Sequence, residues 1–293
     1  MKKMNKILVA TDFSKHSDHA VALANEIQSK QGGTVTLVHI SDVSPVWDWP
    51  ATDMQARNLL GLFQKEIQES LDKLMNDQML RCKVKFETII KFGNSQKELM
   101  AQIDALKADL LVMGHRGQTG LFGIGSFAEK MIATSPIPVM IAKNSKAIKK
   151  MSCLVDPSRV SQEAIAFTKD LASSFNAKSQ FLTLIPDLSS ESLMNAPFVM
   201  PTYKFSEQER MQITENATAF ILKESEGLSE ADIQVEISSL PTAKALGKAL
   251  IEYKADLAIV SKHNRGAIEK FFVGSTSKGI LQEFDGNILV LPE

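Results

Sequence analysis

Short apolar runs alternate with amphipathic stretches along the whole chain. Ile7 to Ala10 is apolar and passes into the polar Thr11-Asp12-Phe13-Ser14, which reads as a buried strand entering a helix. Ala20, Leu23, Ala24 and Ile27 then recur at helical spacing, with Ser14 or Ser17 available as cap. Thr34 to Ile40 is rich in β-branched residues and predicts a second strand. Met54 to Met75 predicts a long polar helix whose Leu60, Phe63, Ile67, Leu71 and Leu74 form a core face. Val84 to Ile90 predicts a third strand, Gly93-Asn94-Ser95 a helix entry, Gln96 to Leu106 a helix, Leu110 to Met113 a fourth strand and, after another helix, Pro138 to Ala142 a fifth. Strands alternating with helices predict a mainly parallel sheet covered on both faces.

The same order returns in the second half: Cys153 to Val155, Gln162 to Ala172, Gln180 to Ile185, Glu207 to Glu224, Ile233 to Ile237, Ala243 to Tyr253, Leu257 to Val260, Thr276 to Glu283 and Ile288 to Leu291. Lys107-Ala-Asp-Leu110 recurs as Lys254-Ala-Asp-Leu257, and each copy leads through an apolar run to a His/Arg loop and a Gly-Ser pair, Gly125-Ser126 and Gly274-Ser275. Asp12 with Ser14 is echoed by Asp156 with Ser158. A duplicated unit fixes the architecture: two tandem α/β domains, 1–145 and 150–293, each an open, mainly parallel five-stranded sheet, divided at the polar and basic stretch Asn144 to Lys150.

Charge narrows the function classes. The 293 residues carry 33 Lys and Arg against 34 Asp and Glu, which argues against nucleic-acid binding through bulk charge. No stretch approaches the roughly 20 uninterrupted apolar residues of a membrane span. The apolar run at the N-terminus is too short for a signal-peptide core. Cys82 and Cys153 stand far apart, without Cys or His at metal-ligand spacing, and read as buried thiols of a reducing compartment, so the expected location is the cytoplasm.

In open α/β sheets ligands bind beyond the carboxyl ends of the strands. In the first half those positions are Asp12, Ile40 to Asp42, and the loop from Gly114 through Gly117, Gly120 and Gly123 to Gly125 and Ser126. Glycine permits positive φ and close approach of a ligand to the backbone. Where such a loop feeds a helix, free amides and the helix dipole make an anion site, to which Ser126 adds a hydroxyl. Phosphate is the natural guest; a flexible connection without a ligand is the equally weighted alternative from the loop alone.

Thr11-Asp12-Phe-Ser14, Leu37-Val-His-Ile40 and the Gly114-x-x-Gly117 to Gly125-Ser126 loop resemble the universal stress protein family, as a tandem pair over nearly the whole chain. The resemblance implies an adenine-nucleotide α-hydrolase-like fold and binding of ATP or AMP, with Mg2+ as a companion. Asp12 and the backbone around Ile40 would meet the adenosine part, and Gly114, Gly117, Gly125 and Ser126 the ribose and phosphates. ATP-binding members carry nine residues between the Gly-x-x-Gly and the final Gly, followed by Ser or Thr. Here seven residues, Gln118 to Ile124, separate Gly117 from Gly125. In the second half Ser261 and Asn264 replace the leading glycines, although Gly274-Ser275-Thr276 fits the ending. The first half is therefore ranked above the second, whose Asp156, Gly274, Ser275 and Thr276 are second-tier candidates.

The remaining features carry weaker readings. His115 and Arg116, with His263 and Arg265 in the second half, are minor phosphate candidates, an exposed loop cation being more often simply solvated. Asp12 has capping of the next helix as its bland role. Trp47 and Trp49, and the apolar loop Ala196 to Tyr203, suggest a folded-back cover or a subunit contact, with a ligand lid or partner surface as the sharper alternative. No nucleophile with a base, paired carboxylates or metal set assembles, and no Gly-x-x-x-x-Gly-Lys-Ser/Thr loop is present, so at most weak ATP hydrolysis is expected. Two functions stand: a cytoplasmic stress-response regulator binding an adenine nucleotide, and a nucleotide-free module binding a protein partner or apolar ligand. The family's dimers imply an internal pairing of the two halves, through Val139 to Ala142 and Ile288 to Leu291, with a homodimer of whole chains left open.

Overall fold

The computed structural model describes residues 4–41, 61–62, 64–74, 76, 86–117, 125–156, 160–187, 205–240, 242–261 and 284–292. Outside them lie Asp42, Trp47, Trp49, Leu60, Phe63, Cys82, Val84, Ser158, His263, Asn264, Arg265, Gly274, Ser275, Thr276, the 118–124 and 196–203 loops and the helix expected after Thr276.

The chain divides into two units, Lys2–Ser145 and Lys146–Glu293. In the first, β1 (Lys6–Ala10), α1 (Lys15–Gln31), β2 (Thr34–Ser41), β3 (Phe86–Phe92), α2 (Ser95–Leu106), β4 (Leu110–Gly114), α3 (Ser126–Thr134) and β5 (Val139–Ala142) follow in order. Their strands lie side by side as β3-β2-β1-β4-β5, every described pairing parallel. The second unit holds β6 (Lys150–Leu154), α4 (Gln162–Phe175), β7 (Lys178–Pro186), α5 (Glu207–Glu224), β8 (Ile233–Ser238), α6 (Thr242–Tyr253), β9 (Leu257–Ser261) and β10 (Asn287–Leu291), arranged β8-β7-β6-β9-β10, again parallel.

Consecutive strand residues point to opposite faces, so an unbroken buried run means cover on both. Leu110 to Met113, Val139 to Ala142, Leu257 to Ser261 and Asn287 to Leu291 are such runs. Leu71, on the helical stretch 64–74, is fully buried as its core-face spacing predicts. The start of β6 falls earlier than the apolar pattern suggests, inside the stretch read as a boundary. Ser152 explains this: it is wholly buried in the strand and its Oγ accepts a 3.1 Å bond from Gln180 Nε2 on β7.

The repeated Lys-Ala-Asp-Leu motif is a structural joint. Lys107 and Lys254 both adopt the left-handed conformation that ends α2 and α6, with φ of 50° and 59°. The next alanine turns its N–H back to the helix, Ala108 to Ile103 O and Ala255 to Leu250 O, each at 3.0 Å. Asp109 Oδ2 then accepts from the backbone of Asn5 (3.1 Å) and Lys6 (3.0 Å), and Asp256 Oδ2 accepts from Lys149 (2.8 Å) and Lys150 (2.9 Å). Each aspartate thereby satisfies the free donors at the start of the central strand, β1 or β6. That anchors the strands whose far ends carry the candidate chemistry.

Candidate functional site

At the carboxyl ends of β1, β2 and β4 the first unit has a cavity of about 400 Å³. Asp12, Ile40, Gly114, Gly117, Gly125 and Ser126 all line it. The strand order places it: β1 sends its chain to α1 on one side and β4 sends its chain toward α3 on the other, which opens a crevice where the order reverses. Ala10, Val38, Met113 and Leu99 supply apolar wall; Thr11 and Arg116, already marked by the motif and the loop, supply polar wall, joined by Ser17, Asn94, Ser95, Gln96 and Lys130, which the sequence does not assign to the site.

The turn after β1 is tightly determined. Thr11 N–H donates to Val38 O at 2.9 Å, and Thr11 Oγ1 bonds Ser17 Oγ at 3.1 Å inside the protein. Phe13 takes φ 60°, a left-handed conformation uncommon for a bulky side chain, and its ring lies 4.6 Å from that of His39. The surroundings therefore over-determine this backbone. The cap of α1 is Ser14, whose Oγ accepts from Ser17 N–H, so Asp12 is not the helix cap. Asp12 Oδ1 instead accepts from Ser14 N–H at 3.1 Å. Its other oxygen, Oδ2, faces Gly117 across the cavity wall: a Cβ on that glycine would stand 3.0 Å from it.

Gly114 and Gly117 work by space, which corrects the expectation of positive φ at these positions. Gly114, Gly117 and Gly125 are absent from the positive-φ glycines of the described residues. A Cβ on Gly114 would come within 2.8 Å of the His16 carbonyl, so this glycine admits the first turn of α1 against β4. Gly125 is the N-cap of α3 with φ -66° and makes no side-chain capping bond. Its own N–H donates to His115 O at 2.8 Å, fixing where the helix begins. The first amides of α3 thus meet the cavity with no cap side chain spent on them, beside the positive end of the helix dipole. By contrast α2, which also starts at the cavity, is capped by Asn94 Oδ1 on Lys97 N–H at 3.0 Å.

His115 is buried, with 7% of its surface exposed, and is not the exposed loop cation that the sequence suggests. Its Nδ1 lies 3.3 Å from Ala142 O and its ring meets His16 edge-on at 4.3 Å between centroids. Burial first, then the neighbouring His16, pushes its pKa down to about 4, so it is neutral at pH 7. Burial and then Arg116 lower His16 as well. Among the described residues, the cations that line the cavity are Arg116, half-buried, and Lys130, exposed.

The second unit differs at the same place. Cys153, Leu154, Val155, Asp156, Ser161, Ala164 and Ser261 line a depression whose free volume is about 0 Å³ among the described residues. Ser261, the counterpart of Gly114 at the end of β9, is buried there. Nearby, Arg210 of α5 pairs with the buried Asp187 after β7 and donates to Ile237 O at 3.3 Å and Phe205 O at 3.4 Å. Cys153 is buried, as expected of it, and burial raises its thiol to about 11. Among the described residues, no group of three or more His, Cys, Asp or Glu gathers to hold a metal, and no helix is long and apolar enough to cross a membrane.

Comparison with known proteins agrees with the tandem architecture. The universal stress protein family model matches residues 3–143 and again 147–292. A universal stress protein of Methanocaldococcus jannaschii is 34% identical over 143 residues, covering 48% of this chain and 83% of that protein. One from Synechocystis is 21% identical over 300 residues and covers 96% of this chain and 97% of its own. The crystal structure of a universal stress protein from Archaeoglobus fulgidus shares the fold, with a TM-score of 0.69 at 16% identity over 99% of each chain. The chain belongs to the universal stress protein family, with one match to the family in each half.

Proposed function

We propose that the first unit binds an adenine nucleotide, ATP or AMP, and that the bound state biases association with a protein partner in a cytoplasmic stress response. The observation that carries this reading is the convergence of Asp12, Ile40, Gly114, Gly117, Gly125 and Ser126 on one cavity beside the uncapped N-terminus of α3. The Asp12 carboxylate suits hydroxyl donors such as those of a ribose. Backbone amides, the Ser126 hydroxyl and the Arg116 guanidinium suit phosphate oxygens. Apolar Val38, Ile40 and Leu99 suit the flat face of a base. Mg2+ enters as a companion of the phosphates.

The second unit takes the role of a degenerate copy in this reading, since Ser261 and Asn264 stand where the first unit's motif has Gly114 and Gly117. A nucleotide acts on a partner only through different affinity for two states of the protein. The test is nucleotide released from the purified full chain on denaturation, together with thermal shift on adding Mg-ATP, for the natural chain and for Asp12→Ala. Adenine nucleotide and a thermal shift that both disappear in Asp12→Ala support the reading. A chain that releases none and gains no stability with millimolar Mg-ATP would instead be an interaction module.

A further inference from the structure

The cavity is electrically lopsided. Among its described lining residues the single acid is Asp12, at the end of β1, whereas the cations Arg116 and Lys130 stand after β4 and on α3. Lys130 lies four residues beyond Ser126, one helical turn on and over the same face, and both reach the cavity. No ion pair involves Lys130 among the described residues, and the adjoining 118–124 segment contains no charged residue in its sequence. The α3 amides and Ser126 at the start of the helix, followed one turn later by an ammonium group, form two successive anion-favouring positions along the cavity. The α2 terminus at Ser95 and Gln96 borders the same cavity, and Gln96 Nε2 reaches Thr134 Oγ1 on α3 at 3.4 Å.

We propose that Lys130 is the specificity-determining residue that makes this site prefer nucleoside di- and triphosphates to monophosphates. The proposal rests on the nucleotide reading of the cavity given above. The first phosphate meets the amides at Ser126, and Lys130 meets the phosphates beyond it. A monophosphate ends before Lys130 and is indifferent to it; a triphosphate carries its densest charge there. Glu129, adjacent in sequence, is not among the described lining residues.

The experiment is calorimetric titration of the full chain with AMP, ADP and ATP, each with Mg2+ at fixed ionic strength, for the natural protein, Lys130→Gln and Lys130→Arg. Because Lys130 is exposed, Lys130→Gln is expected to keep the natural melting temperature. The natural chain should bind ATP and ADP about tenfold or more tightly than AMP, as one charge-assisted contact warrants. Lys130→Gln should lose about tenfold for ATP and less than twofold for AMP, and Lys130→Arg should restore most of the loss. Equal affinity for AMP and ATP, or an equal loss for both in Lys130→Gln, would overturn the role of Lys130 while leaving the nucleotide site standing. Failure of all three nucleotides to bind would overturn both readings.

Discussion

A Cβ placed on Gly117 would stand 3.0 Å from Oδ2 of Asp12, while Oδ1 of the same carboxylate is held by Ser14 N–H at 3.1 Å. The loop after β4 therefore has to pass the carboxylate without a side chain, and the carboxylate has little freedom to retreat. Gly117→Ala should turn or displace Asp12 and weaken ATP binding on the order of tenfold, with a small effect on stability. Titration calorimetry and a melting curve on the same sample check both halves of that statement. Unchanged ATP affinity would show that the Asp12 carboxylate is not a ligand.

Gly114 and Gly125 should separate packing from binding. Gly114→Ala forces Cβ against the His16 backbone and should cost about 1–3 kcal/mol of stability, because backbone rather than a side-chain tip must move. At Gly125 the nearest atom to a Cβ is 3.7 Å away, so Gly125→Ser fits. Its hydroxyl would cap α3, stabilising the unit by a few tenths of a kcal/mol while competing with phosphate for the same amides. The expected pattern is a higher melting temperature with weaker ATP binding, measured by thermal unfolding and titration.

Asp109 and Asp256 do the same work in the two units, each accepting two backbone N–H bonds at the start of a central strand. Asp109→Ala and Asp256→Ala should each destabilise their own unit by about 1–3 kcal/mol. Neither lines the cavity, so the per-molecule ATP affinity of the folded Asp109→Ala chain should match that of the natural one. Urea unfolding and titration calorimetry read the two effects.

His115 gives stability a definite pH dependence. Its folded pKa lies near 4, below the ordinary 6.5, so between these values the unfolded chain holds a proton that the folded chain does not. Its contribution is complete above pH 6.5 and is lost as pH falls toward 4, by roughly 3 kcal/mol at the limit. His16 is shifted in the same direction. Urea midpoints compared at pH 7.5 and pH 5 should fall for the natural chain and fall less for His115→Gln.

Much of the fold is legible in the sequence because the apolar strands and the duplicated Lys-Ala-Asp-Leu joint are local signals. The start of β6 is less so, since Ser152 is polar and its burial depends on Gln180 of a neighbouring strand. Motif spacing gathers Asp12, Ile40 and the loop glycines, but not the reason for the glycines, because the closeness of Gly114 to His16 exists only in the folded chain. Burial of His115 is hidden for the same reason. Asn94 reads only as a cap, although a cap residue can also line a cavity. Lys130 carried a usable signal: four residues after Ser126, it belongs to the same helix face.

The most direct test is the stoichiometry of Mg-ATP binding to the full chain, by calorimetry, before and after Asp12→Ala. The nucleotide reading of the first unit predicts one saturable site per chain that Asp12→Ala removes without unfolding the protein. Two equivalent sites per chain, or one site that survives Asp12→Ala undiminished, would contradict the assignment of nucleotide binding to the first unit.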